Sequence, residues 1–208
     1  MEIALAFQYL TFSYVVMVGG PGGHIDLDGK RLSRVFGSLG PGNVAQMPNG
    51  LAVVLGDYNQ LIVQPPKISF KGATAEILFE LYRNARRDIL NAFAVHKATA
   101  FGINFELDVE FPDMNPREVL NRILSTQQIP AGMRLNQAML QIDETRITIA
   151  ASTREPERLL YTNFNNHIEK PEMSSFDYDT LRQQVESFRL QNERTLQEMY
   201  QCLQRPHA

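Results

Sequence analysis

Residues 97–111 read Lys-Ala-Thr-Ala-Phe-Gly-Ile-Asn-Phe-Glu-Leu-Asp-Val-Glu-Phe, and their alternation decides the fold. In an extended chain, Thr99, Phe101, Ile103, Phe105, Leu107, Val109 and Phe111 point one way. Ala100, Gly102, Asn104, Glu106, Asp108 and Glu110 point the other. A strand that buries one face and wets the other belongs to an antiparallel or mixed sheet with a single covered face. A doubly wound parallel sheet, covered on both faces, is not expected to alternate so cleanly.

Downstream of this strand, Pro112 to Pro116 turns the chain, and Pro116 suits the first position of a helix. Val119, Leu120, Ile123 and Leu124 give that short helix its apolar side, and Ile129-Pro130-Ala131-Gly132 ends it. Three strands are predicted at 134–142, 146–152 and 159–168, joined by short turns as a meander. A long helix follows at 178–204, with Leu181, Val185, Phe188, Leu196, Met199 and Leu203 along one side.

Upstream, residues 3–18 form a first strand rich in aromatic and β-branched side chains. The cluster Gly19-Gly20-Pro21-Gly22-Gly23 stops it, and 19–50 reads largely as loop with one short helix within 30–39. Residues 51–55 and 60–63 flank Gly56-Asp57-Tyr58-Asn59, a hairpin signal, and Ile68 and Phe70 resume the alternation after Pro65-Pro66. A helix is predicted over 74–94, capped by Thr74, with Leu78, Leu81, Ala85, Ile89 and Phe93 at helical spacing.

The order strand, short helix, meander, long helix therefore occurs twice. The expected architecture is α+β: a curved antiparallel sheet with two long helices packed on one face and an internal duplication. The halves 1–95 and 96–208 are expected to share that sheet as a single globular unit. The far face would be left open. Duplicated halves of this kind are laid out like saddle-shaped folds that sit on nucleic acid, a likeness of layout alone.

Composition narrows the function classes. The chain has 208 residues, enough for a substantial core, and 44% hydrophobic with 21% charged residues is ordinary globular usage. A formal charge of −3 supplies no field that would draw in a polyanion, so nucleic acid is not an expected partner. A single cysteine, Cys202, excludes an internal disulfide and points to a reducing, cytoplasmic setting. The apolar N-terminal stretch has Glu2, no basic flank, and polar interruptions at Gln8, Thr11 and Ser13, so it reads as a core strand; no membrane segment is expected.

Three groups of residues are candidates for chemistry. Glu106, Asp108 and Glu110 lie on one strand face about 7 Å apart, a spacing at which carboxylates could gather a divalent cation. The bland account is that an amphipathic strand needs charges on its wet face, and no cationic partner is fixed beside them, so the solvated face is the stronger reading. His24, Asp26 and Asp28 follow the glycine cluster where phosphate-binding loops sit, but the spacing matches no known phosphate or calcium loop. Tyr161, Asn163, Asn165 and His167 share one face of the 159–168 strand, as the lining of a small-ligand groove or as an ordinary wet face.

Elsewhere, Arg83, Arg86 and Arg87 are expected to pair with Glu80 and Asp88 on a solvated helix face. On the last helix, Leu181, Val185, Phe188, Asn192, Thr195 and Met199 form an imperfect seam that could meet a second copy.

No catalytic constellation survives this weighing. The expected function is a non-catalytic protein-binding or assembly module, homo-oligomeric, with the open sheet face as the surface for another protein. The alternatives are a divalent-metal-dependent enzyme acting on a phosphate-bearing substrate through the acidic strand, and a small-ligand-binding protein. No cofactor is expected beyond that optional divalent cation.

Overall fold

The computed structural model describes residues 5–18, 43–47, 50–55, 58–64, 66–92, 98–124, 137–142, 145–152, 158–169 and 177–204. They form an α+β arrangement of nine strands and three helices. The strands are β1 (Ala6–Val18), β2 (Asn43–Met47), β3 (Gly50–Val54), β4 (Gln60–Gln64), β5 (Lys67–Gly72), β6 (Ala98–Glu110), β7 (Gln137–Ile142), β8 (Thr145–Ala151) and β9 (Leu159–Glu169). The helices are α1 (Ala75–Ala92), α2 (Pro116–Leu124) and α3 (Tyr178–Gln204). All nine strands belong to one sheet, mostly antiparallel, in the order β2-β3-β4-β5-β1-β6-β9-β8-β7. Among the described residues, no helix is long and apolar enough to cross a membrane.

Periodicity placed most of these elements within a residue or two. Strand β2 is the exception: residues 43–47 pair with β3 from Asn43↔Val54 to Met47↔Gly50, where the sequence reads as loop. Five residues between glycine and proline clusters are too short for alternation to declare a strand. The short helix expected within 30–39 lies outside the described residues.

The chain divides into two compact units, each assembled from separate segments. The first comprises Met1–Leu10, Phe105–Asn165 and Ser187–Ala208. Its helix α2 lies on β7 and β8. Asn115 caps α2, its side chain accepting from the Glu118 N–H at 2.9 Å, which satisfies a donor the first helical turn leaves over. Val119 and Leu120 are the helix's buried side. Arg122 donates to the Leu203 carbonyl at the end of α3 and to Glu118 Oε1 at 2.8 Å.

The second unit comprises Thr11–Asn104 and Asn166–Glu186. Helix α1 packs on β5 through Leu78, Leu81, Tyr82 and Ala85, all buried and at the spacing of one helical side. Thr74 caps it, accepting from the Ile77 N–H at 3.3 Å. Four aromatic rings fill the core here. Tyr14 lies 5.2 Å from Tyr82, 5.7 Å from Phe101 and 6.3 Å from Phe70, while Phe70 and Tyr82 meet edge-on at 5.3 Å. Offset and edge-to-face rings at these distances add about 0.5–1.5 kcal/mol per pair beyond their area burial.

Strand β1 runs through both units, and its alternation breaks where it passes between them. Thr11 and Phe12 are consecutive buried residues, after which Tyr14, Val16 and Val18 continue the buried set. Register with β5 is fixed beyond that break, from Phe12↔Gly72 to Met17↔Lys67.

At the hairpin between β3 and β4, Tyr58 has a φ of 69°, in the left-handed region that side chains enter reluctantly. The Asn59 side chain holds the turn from outside by accepting from the Ala73 N–H at 3.0 Å, and Leu55 N–H donates to the Asn59 carbonyl at 2.9 Å.

Gly72 ends β5 directly under α1: a Cβ there would sit 2.6 Å from the Leu78 nitrogen, backbone that cannot give way. Gly72→Ala is therefore expected to destabilise the fold by about 1–3 kcal/mol. Phe101→Ala, which empties a fully buried site, is expected to cost about 3–5 kcal/mol. Urea unfolding followed by circular dichroism checks both; an unchanged midpoint for either would contradict the packing described.

Candidate interaction surface

Strand β6 is less amphipathic than its sequence suggests. Phe101, Ile103, Phe105, Leu107, Val109 and Phe111 are buried as expected. On the opposite side, however, Gly102 and Asp108 are also buried, and Asn104, Glu106 and Glu110 are half-buried. The expectation of a wet second face is corrected here. With β1 and β9 on its two sides, β6 is an interior strand, so both of its backbone edges are paired. In the second unit, Asn104 donates to the Ser13 hydroxyl on β1 at 3.2 Å, and Thr99 reaches the Met17 carbonyl at 3.4 Å.

In the first unit, Glu106, Asp108 and Glu110 stay on one side of β6, with Asp108 only 1% exposed. Among the described residues, no three His, Cys, Asp or Glu side chains gather where they could hold a metal ion. His24, Asp26 and Asp28 lie outside the described residues.

On β9, Tyr161, Asn163 and Asn165 alternate with the buried Leu160, Thr162 and Phe164 of the first unit. Asn163 donates to the Tyr161 hydroxyl at 3.4 Å, and Asn165 is exposed. In the second unit, His167 is a surface side chain 4.0 Å from Glu169. Asn166, next to it, faces inward and donates to the Ile103 carbonyl at 2.9 Å.

Helix α3 turns its row of Leu181, Val185, Asn192, Leu196 and Tyr200 into the chain's own core, so three of the six seam residues envisaged for a second copy, Leu181, Val185 and Asn192, are already used. Asn192 is a buried amide in that row. Within the first unit, Glu193 is the hub of a polar contact that spacing alone did not reveal. Its Oε1 accepts from the Tyr9 hydroxyl at 2.7 Å and from Arg189 at 2.8 Å. Tyr200 likewise donates to Asp113 at 3.1 Å while its ring meets Phe111 edge-on. In the second unit, Arg86 pairs with Asp177 at 2.7 Å, the acid just before α3. The Arg189 to Glu193 spacing of four was legible as a helix pair. The distant partners Tyr9, Asp113 and Asp177 carried no local signal.

The least protected surface lies at the ends of the sheet. Strands β2 and β7 are the two outermost, and neither contains a charged residue or a proline. Val44 on β2 is 54% exposed, and Met139 and Ile142 on β7 are 61% and 45% exposed. An outer strand presents unpaired N–H and C=O groups. Proteins ordinarily guard such strands with charge, proline or a bulge.

Four tyrosines resist ionisation. Burial pushes the Tyr82 hydroxyl up to about 12, with Arg86 opposing the rise. Burial also raises Tyr14, with the Tyr82 hydroxyl adding to it; Tyr9, beside Glu193; and Tyr200, beside Asp113. An unfolded phenol ionises near pH 10, so above that pH unfolding releases protons. The contribution of these groups is whole below about pH 10 and is lost as pH climbs toward the folded values, for the well-buried Tyr14 and Tyr82 by up to about 1.4 kcal/mol per group per pH unit. Urea midpoints should fall steeply above pH 10, and less steeply for Tyr82→Phe. A flat profile would contradict the buried phenols. No family model matches this chain, and no curated protein matches it in sequence.

Proposed function

We propose that this protein is a non-catalytic assembly module, a homo-oligomer held through the ends of its sheet, working in a reducing, cytoplasmic setting. The observation that carries the reading is the composition of the two outermost strands. Asn43–Met47 and Gln137–Ile142 are uncharged, free of proline, and expose Val44, Met139 and Ile142. Strand addition at such an end supplies a ladder of backbone hydrogen bonds together with apolar contacts. The exposed thiol of Cys202, the single cysteine, fits a reducing setting. The half-buried Glu106 and Glu110 remain a secondary surface for another protein.

The reading includes an internal duplication with a long helix closing each half and both long helices on one face. What supports the duplication is the strand order. Outward from the adjacent β1 and β6, the sheet runs β5, β4, β3 on one side and β9, β8, β7 on the other. Each series is a meander followed in sequence by a long helix, α1 or α3.

A contact through one short strand is at the small end of stable interfaces, so association should be concentration-dependent. Light scattering coupled to gel filtration is expected to show a dimer or larger species that dissociates on dilution. A monomer at the highest soluble concentration would overturn the proposal.

A further inference from the structure

We infer that a second copy of this chain docks on β7, pairing β7 antiparallel with its own counterpart about a twofold axis at Met139. The inference rests on the assembly reading above and assigns it one strand, one partner and one register.

Strand β7 is paired along one side only among the described residues. On its inner side all six residues pair with β8, from Gln137↔Ala150 to Ile142↔Thr145. Among the described residues no strand pairs with its outer side. Apolar side chains occupy both of its faces. Ala138, Leu140 and Ile142 share the face of Ile149 and Ile147, which are buried in the core, while Met139 points the other way. Helix α2 lies on β7 and β8, yet cover fades along the strand: Ala138 is 6% exposed, Leu140 half-buried and Ile142 45% exposed. The apolar layer thus reaches the end of the sheet and stops uncovered.

The chemistry of the strand favours its own copy as the occupant. Gln137-Ala138-Met139-Leu140-Gln141-Ile142 carries no charge, so two copies meet without like-charge repulsion and nothing selects a charged partner. In an antiparallel pair, directly opposed residues share a face. Met139 opposite Met139 places Ala138 opposite Leu140 and Gln137 opposite Gln141, all of matching parity. The core-facing layer of one copy then continues into that of the other. A slip of one residue would set Met139 against Leu140 and turn one copy's core face outward. Centring on Met139 also buries the most exposed apolar side chain of the strand against its equivalent.

The test uses the full chain carrying Cys202→Ser. Directly opposed strand residues have Cα atoms about 4.5–5.5 Å apart, within disulfide reach. Met139→Cys in that background should form a covalent dimer under mild oxidation, and Val44→Cys should not. Met139→Lys sets two ammonium groups face to face and should abolish the dimer seen by light scattering, whereas Val44→Lys should leave it intact. Met139 is exposed, so both variants should fold, which far-ultraviolet circular dichroism verifies.

A wild-type monomer would overturn the assembly reading itself. A wild-type dimer that survives Met139→Lys would overturn the inference alone, and its loss in Val44→Lys would move the contact to β2. Dissociation by Met139→Lys without cross-linking by Met139→Cys would overturn the Met139-centred register.

Discussion

The constraint on which the rest depends is the shielding of β6. Thirteen residues long, it buries an unbroken series of apolar side chains from Phe101 to Val109 on one face, while its other face is only partly open to water. Each unit solves its part of the problem with rings. In the first, Tyr9 meets Phe105 at 6.2 Å and Tyr200 covers Phe111 at 5.3 Å. In the second, Tyr14 meets Phe101 at 5.7 Å and is itself met edge-on by Tyr82 at 5.2 Å. The covering tyrosines then need partners for their hydroxyls in a poorly hydrated space. Glu193 and Asp113 supply two of them in the first unit. These polar contacts around the core follow from the choice of tyrosine over phenylalanine.

How far this was legible in the sequence depended on the range of the information. Period-two alternation located β6, and period-3.6 spacing located α1 and α3, because both signals live within a dozen residues. The polar members of β6 misled for the same reason. Glu106, Asp108 and Glu110 declare their polarity locally, but whether water reaches them depends on the strands beside β6. Asp108, read as solvated, is buried. On β9, Tyr161, Asn163 and Asn165 alternate with buried residues, and Asn166, on the inward side, donates to a backbone carbonyl whose presence no local pattern announces. Strand β2 escaped because five residues cannot show a period.

The surface now of interest was the least visible of all. Nothing in Gln137–Ile142 says that it ends a sheet, since that is a property of strand order. Its lack of charge becomes informative only once its position is known. The reverse holds for α3, whose apolar seam looked like a dimer contact in isolation. Leu181, Val185, Leu196 and Tyr200 are spent on the chain's own core. A pattern in sequence shows that a face must be covered; the fold shows by what.

A sheet with an uncharged strand at each end has two places where an added strand would meet no charge. The twofold pairing proposed at β7 would consume one end from each chain and close on itself. The Val44 strand at the opposite end of the order stays available on both sides of such a pair. If it too accepts a partner, growth has no geometric stop, and the chains become links of a ribbon whose length is set by concentration. Whatever guards β2 then decides between a finite particle and a polymer.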